Sequence, residues 1–196
     1  MESNLYEKYI DLLKEHLSPY RLHHSVEVAK SAKYLAEKYG CDSEKCYLAG
    51  LLHDIQKEAD KDETFLLAEK YSIEMTDIEK DAKKLWHAMT GAYFIKNEIG
   101  IDDSDIFLAV RYHTTGRSNM SLIEKVLFVA DFISSDRNYD GVEIMRQKAE
   151  INLETAMLEG LEFTVSELIS QHSVVHPDTL DAYNDIVMNY CMKGKI

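Results

Sequence analysis

Apolar residues recur along this chain at spacings of three and four, with polar residues between them. No segment sustains the strict alternation of a half-buried strand. The pattern predicts helices, and local punctuation marks their ends. Leu5, Tyr9, Leu12 and Leu13 form one stripe over roughly residues 4–17, with Ser3 placed to cap it. Ser18-Pro19 combines an N-cap with a proline at the first helical position. The helix it opens runs through Val26, Val28, Ala29, Ala32, Leu35 and Ala36 to a stop at Gly40. Asp42 or Ser43 starts the next, which carries the run Leu48-Ala49-Gly50-Leu51-Leu52. Thr76-x-x-Glu79 and Ser121-x-x-Glu124 both fit a capping box. Gly100 ends a helix containing Trp86 to Glu98, and Asp103 or Ser104 opens another that stops near Gly116. His176-Pro177 opens a last helix to about Met192. With no internal repeat, low-complexity tract or linker, the expectation is one all-α domain over residues 1–196, a helical bundle. Its core should lie at about 19–135, with C-terminal helices at 142–193 packed on it.

Composition narrows the function. Eight Gly and two Pro in 196 residues are too few for a turn-rich sandwich or barrel. A net charge of −13 repels phosphate backbones, so nucleic acid is not the expected partner. A small phosphorylated substrate remains open, provided that cations or a metal are concentrated locally. Cys41, Cys46 and Cys191 show no Cys-x-x-Cys spacing and read as reduced thiols of a cytoplasmic protein. Cys46 and Cys191 read as small buried hydrophobes, and Tyr183, Met188 and Tyr190 as core positions of the last helix. The first residues mix acids with apolar side chains, unlike a secretory signal, and no apolar run approaches 18 residues, so no membrane span is expected.

Candidate chemistry lies in the histidines and in one aspartate. His53-Asp54 follows the apolar Ala49-Gly50-Leu51-Leu52; as a bare dipeptide it is worth little, since roughly one such pair arises by chance here. Its context says more, because a carboxylate and an imidazole at the end of a buried helix need partners. His24 sits among core-facing Val28, Ala29 and Ala32, His87 follows Trp86 at a helix start, and His113 ends the apolar run Ile106 to Val110. Asp131 interrupts Val126-Leu127-Phe128-Val129-Ala130, the most apolar stretch of the chain. Each histidine alone reads as easily as a core histidine bonded to a carbonyl, and Asp131 as a partner of Lys57, Arg111 or Arg137. Jointly they form an ordered set of nitrogen and oxygen donors without thiolate, which suits Fe(II), Mn(II) or Zn(II).

The pattern His24…His53-Asp54…Asp131 on consecutive helices resembles the HD-domain metal-dependent phosphohydrolases. Arg21-x-x-His24-Ser25, Ala49 to Asp54 with Lys57, Trp86-His87-Ala88-x-x-Gly91-Ala92, Tyr112-His113-Thr114-Thr115-Gly116 and Glu124-Lys125-Val126-x-Phe128-Val129-Ala130-Asp131 resemble the YqeK family more closely, over about residues 5–190. Members of that family split diadenosine tetraphosphate into two ADP. The resemblance implies a single HD domain with a metal held at its centre by His24, His53, Asp54 and Asp131. The metal would be Fe, with Mn or Zn as alternatives, and one ion rather than two. Asp54, Lys57, His87 and His113 would be catalytic, the histidines as hydrogen-bond donors or as a general acid working from an ordinary pKa near 6.5. Arg21, Lys57 and Arg137 would hold the phosphate chain together with His87, His113 and Thr114. Val174-Val175-His176-Pro177-Asp178-Thr179 would contact the base, although as sequence this stretch is equally an ordinary helix N-cap.

One segment departs from the family, which after the metal Asp reads Ile-Glu-Pro-x-Arg, an aromatic, Pro and Gly. Here it is Ile133-Ser134-Ser135-Asp136-Arg137-Asn138-Tyr139-Asp140-Gly141, and without its prolines the loop is expected to be less rigid. Three function classes follow: a tetraphosphatase acting on a dinucleoside polyphosphate; another HD-type monophosphatase or phosphodiesterase; or a non-catalytic binder of an ADP- or GDP-like nucleotide. Retention of every metal-type residue with Lys57 and Arg137 favours turnover over mere binding. A homodimer is compatible with all three.

Overall fold

Helix order follows the caps. In a computed structural model, which describes the backbone of residues 2–196 and the side chains of residues 6–196, the elements are α1 (Glu2–His16), α2 (Pro19–Tyr39), α3 (Ser43–Leu52), α4 (Lys61–Lys70), α5 (Asp77–Asp81), α6 (Lys83–Phe94), α7 (Ser104–Tyr112), α8 (Leu122–Ile133), α9 (Val142–Ile151), α10 (Leu153–Ser170) and α11 (Pro177–Ile186). No strand occurs among the described residues, as the missing alternation predicts. The proposed Ser3 cap and the Leu5 side chain lie outside the described side chains.

Each sequence cap among the described side chains is a real hydrogen bond. Ser18 accepts from the Arg21 N–H with Pro19 in the first turn, and Asp42 from the N–H groups of Glu44 and Lys45. Thr76 and Ser121 both close full capping boxes with Glu79 and Glu124. Gly40 and Gly100 take the left-handed conformation that ends a helix, at φ 80° and 81°. α6 and α11 each run on into a π-type turn, Ile95–Ile99 and Val187–Cys191, so the last ordered turn reaches almost to Met192. Nothing in the hydrophobic pattern announced α4, whose first turn is Lys61-Asp62-Glu63.

The core is built on α2, α3 and α8. α8 buries every residue from Ile123 to Ala130, and α2 buries Val28, Ala29, Ala32, Leu35 and Ala36 against it and against α3. α7 packs on α3 and α8; α9 and α10 cover the other side of α8, and α11 lies on α10. α2 and α3 approach closely at Gly50, where an added Cβ would stand 2.8 Å from the Ala29 Cα. That contact sets the separation of the two helices that carry His24 and His53. Cys46 is buried as expected. Cys191 is half-exposed and Met188 is 61% exposed, so the last helix turns less of its apolar stripe inward than its sequence suggests.

Candidate functional site

Three segments bring the predicted ligands together. His24 comes from the second turn of α2, His53 caps the C-terminus of α3 with Asp54 next to it in the turn that follows, and Asp131 lies in the last turn of α8. His24 Nε2 is 3.0 Å from Asp131 Oδ1 and 4.0 Å from Asp54 Oδ2. His53 Nε2 is 3.6 Å from Asp54 Oδ2 and 4.0 Å from Asp131 Oδ1. Donors about 2.1 Å from a single ion lie about 3.0 Å apart when adjacent and about 4.2 Å when opposite. These separations therefore fit one cation.

The imidazoles are preset for that role. His53 Nδ1–H donates to the Gly50 carbonyl at 2.7 Å and His113 Nδ1–H to the Val110 carbonyl at 2.7 Å. Each histidine follows a helix whose last carbonyls lack intrahelical partners, so a backbone acceptor is at hand three residues back. Both Nε2 lone pairs then face inward. His53 Nε2 is buried with no hydrogen-bond partner. An orphaned buried acceptor of this kind calls for a ligand. The donor chemistry, the spacing and the orphaned nitrogen all fit a divalent metal.

Asp54 faces two ways. Its Oδ2 points to His24, His53 and Arg21, whose guanidinium donates to it at 3.2 Å. Its Oδ1 lies 3.1 Å from His87 Nε2, 3.7 Å from His113 Nε2 and 3.5 Å from the Lys57 ammonium. Lys57 donates to His87 Nε2 at 3.0 Å, and the Nε2 atoms of His87 and His113 are 3.1 Å apart. Burial alone would raise the Asp54 pKa, but His53, His113, His87 and Lys57 around it hold it well below the ordinary carboxylate value. Burial pushes His53 down to about 3 and His87 to about 4. The ordinary histidine pKa anticipated for His87 is therefore not the one its pocket provides.

Asp131 is less buried than its apolar neighbours suggest: 18% of its side chain is accessible. Of the three partners considered for it, Arg137 is the one it takes, through the Asp131 carboxylate and the Asp131 carbonyl at 2.8 Å. Arg111 pairs with Glu79 instead, and Lys57 with Asp54. The same Arg137 guanidinium stands 3.4 Å from His24 Nε2. The Thr114 hydroxyl is buried without a partner beside His113. Arg21, Lys57 and Arg137 thus rim the cluster with three cations, each about a quarter to a third exposed.

Residues 174–179 sit elsewhere. His176 caps α11 by accepting from the Asp178 N–H at 3.1 Å, and its Nε2 lies 3.6 Å from Glu79, whose carbonyl accepts from the Trp86 indole. Thr179 is buried, whereas Val174 and Pro177 are exposed and Val175 and Asp178 half-exposed. His176 and Glu79 link this stretch to Trp86, the residue before His87.

Carbonyls at the end of α8 and in the loop after it are hydrogen-bonded from α9 and from Tyr139. Arg146 of α9 donates to the carbonyls of Ile133, Ser134 and Arg137 at 3.0, 2.8 and 3.0 Å, and the Tyr139 hydroxyl donates to the Phe132 carbonyl at 3.1 Å. Two supporting groups escaped the sequence reading. Asp136 stands behind His24, and Glu58 accepts from Ser18 N–H and Oγ–H at 2.6 and 2.8 Å, tying the start of α2 to the turn after Asp54. An acid in a polar loop carries no local signal of either role.

Comparison with known proteins places the chain. The HD domain model matches residues 21–136. A Halalkalibacterium halodurans protein named symmetrical bis(5′-nucleosyl)-tetraphosphatase is 41% identical over 182 residues, 92% of this chain and 96% of the relative. The Bacillus subtilis protein of the same name is 38% identical, over 92% of this chain and 97% of its own. A solved Clostridium acetobutylicum structure, described as a predicted HD superfamily hydrolase involved in NAD metabolism, superposes with a TM-score of 0.91 at 34% identity, covering 94% of this chain and 98% of the other. Four side chains from three segments, in the order His, His-Asp, Asp, on a fold shared over nearly its whole length, lead to one conclusion: the chain belongs to the YqeK family of HD-domain proteins.

Proposed function

We propose that this chain is a metal-dependent hydrolase that cleaves diadenosine tetraphosphate symmetrically into two ADP. The convergence of His24, His53, Asp54 and Asp131 carries the reading, and the near full-length similarity to proteins named for this activity supports it. Those four residues would hold the ion, with iron preferred and manganese or zinc as alternatives. Bound there, a divalent cation supplies a water that loses its proton near neutral pH, and positive charge beside the phosphorus under attack.

The protein's own groups do the rest by placement and charge. Arg21, Lys57 and Arg137 bind the phosphate chain, exchanging their present carboxylate partners for phosphate oxygens. Thr114 donates its hydroxyl to the same chain. His87, kept neutral by burial, and His113 line the leaving side. His113 holds its Nδ1 proton on Val110 and offers an acceptor. His87 accepts from Lys57, which connects the leaving ADP to a protonated amine rather than to a freely titrating imidazole. Residues 174–179 supply the base contact at the α5 side of the pocket. A single ion fits better than two, because the Lys57 ammonium already stands beside Asp54 Oδ1 and His87 Nε2.

The test is product analysis. Metal-loaded protein given diadenosine tetraphosphate should yield ADP alone, and Asp54→Ala should yield none. AMP with ATP would place the cleavage elsewhere. Turnover of nucleoside monophosphates or cyclic nucleotides, with none of the tetraphosphate, would establish a different HD-type phosphohydrolase.

A further inference from the structure

We propose that Asp136 is a positioning residue of the metal centre, a carboxylate that fixes the His24 imidazole from behind. This rests on the metal site proposed above and extends it to a loop residue that lies outside the ligand set.

His24 differs from the other two inward-facing histidines in where its second nitrogen can go. His53 and His113 follow helix ends and use carbonyls of their own chain at 2.7 Å. His24 lies within α2, where neighbouring carbonyls are engaged by the helix itself, so its Nδ1 must find a tertiary partner. That partner is Asp136 Oδ2 at 2.8 Å, 112 residues along the chain. With Nδ1–H donating to the Asp136 carboxylate, the Nε2 lone pair faces Asp131 at 3.0 Å and Asp54 at 4.0 Å. An acceptor behind a ligating histidine sets its tautomer and ring orientation and increases its basicity as a ligand.

The surroundings hold this acid in place. Asp136 is nearly buried, with 9% of its side chain accessible. A turn closed by the Arg137 N–H on the Ser134 carbonyl at 3.0 Å presents Asp136 and Arg137 to opposite edges of one imidazole. Arg146 anchors the carbonyls on both sides of that turn. Position 134, which carries the acid in the family pattern, is a serine here, and the carboxylate behind His24 stands two residues later.

The experiment compares wild type, Asp136→Ala, Asp136→Asn and Ser135→Ala by competition of Zn(II) and Mn(II) against a chelator, with metal-free melting temperature as the folding control. It adds the nitrogen-correlated NMR signal of the His24 Nδ1 proton in zinc-loaded protein. Asp136→Ala should lose about 10- to 100-fold in metal affinity and lose the protected Nδ1 proton. Asp136→Asn, which keeps an acceptor, should lose less, and Ser135→Ala nothing. A folded Asp136→Ala with wild-type affinity overturns the inference, as does an equal loss in Ser135→Ala. If the alanine variant does not fold, the asparagine variant decides: wild-type affinity with an unchanged Nδ1 signal overturns it. A wild-type chain that binds neither ion refutes the metal site itself, a result distinct from binding that ignores position 136.

Discussion

Gly50→Ala should destabilise the protein although it places a better helix former inside a helix. In α3 the exchange by itself favours folding by about 1 kcal/mol. Against that, the new Cβ would meet Ala29 Cα at 2.8 Å, Ala29 N at 3.0 Å and Val28 C at 3.2 Å, all backbone atoms, while ordinary contact starts at 3.4 Å. No side chain can rotate away, so α2 and α3 must part by about half an ångström or more. Overpacking of this kind costs about 1–3 kcal/mol and more where backbone must move. Because only backbone can yield here, the upper part of that range applies, about 2–3 kcal/mol, and the net loss is about 1–2 kcal/mol, or about 2–8 °C in melting temperature for a chain of this size. Because α2 carries His24 and α3 carries His53, metal affinity should fall with it. Gly91→Ala is the matched control: it meets nothing closer than 3.7 Å and should be neutral or slightly stabilising. Thermal and urea unfolding of both variants checks this. A Gly50→Ala protein as stable as wild type, or a Gly91→Ala protein that is the weaker of the two, would refute the claim that helix contact at Gly50 sets the spacing of the site.

Arg146→Ala removes three bonds from a guanidinium to the carbonyls of residues 133, 134 and 137 and should cost about 1.5–3 kcal/mol; hydrogen exchange in residues 133–139 should rise, and unchanged protection there would show that the loop is held otherwise. Burial alone would raise the pKa of Glu79, but its bonds to Thr76 and the Arg111 guanidinium carry it below the ordinary 4.5. Its charged form therefore contributes stability that is present above pH 4.5 and lost as pH falls through the folded-state value. Glu79→Gln should be less stable at neutral pH, with the difference narrowing in acid; a difference constant from pH 7 to 3 would contradict this. Asp54→Ala should lower turnover by more than about 10³-fold, and chelation of the wild type should abolish activity until metal is restored; activity that persists after chelation would rule out a metal role.

Most of the fold was legible because helix ends are written locally. Ser18-Pro19, Asp42, Thr76, Ser121, Gly40 and Gly100 each act on backbone within four residues, so a linear reading finds them. The ligands were legible for a related reason: a buried imidazole or carboxylate in an apolar run is costly without a partner, and five such segments share one order. What stayed hidden depends on distant chain. Asp136 gains its place only when α8 lies beside α2, and Arg146 only when α9 folds back on the loop. The low pKa of His87 comes from burial and from Lys57 across a turn, which spacing cannot express. The exposure of Met188 shows the limit of periodicity, since a stripe marks the face that could be buried and not the neighbour that would cover it.

X-ray absorption and anomalous diffraction on crystals soaked with Fe(II) or Mn(II) test the central claim most directly. The account predicts one ion per chain, ligated by the Nε2 atoms of His24 and His53 and by carboxylate oxygens of Asp54 and Asp131. An ion seated on His87 and His113 without His24, or no ion bound among the four residues, would contradict it.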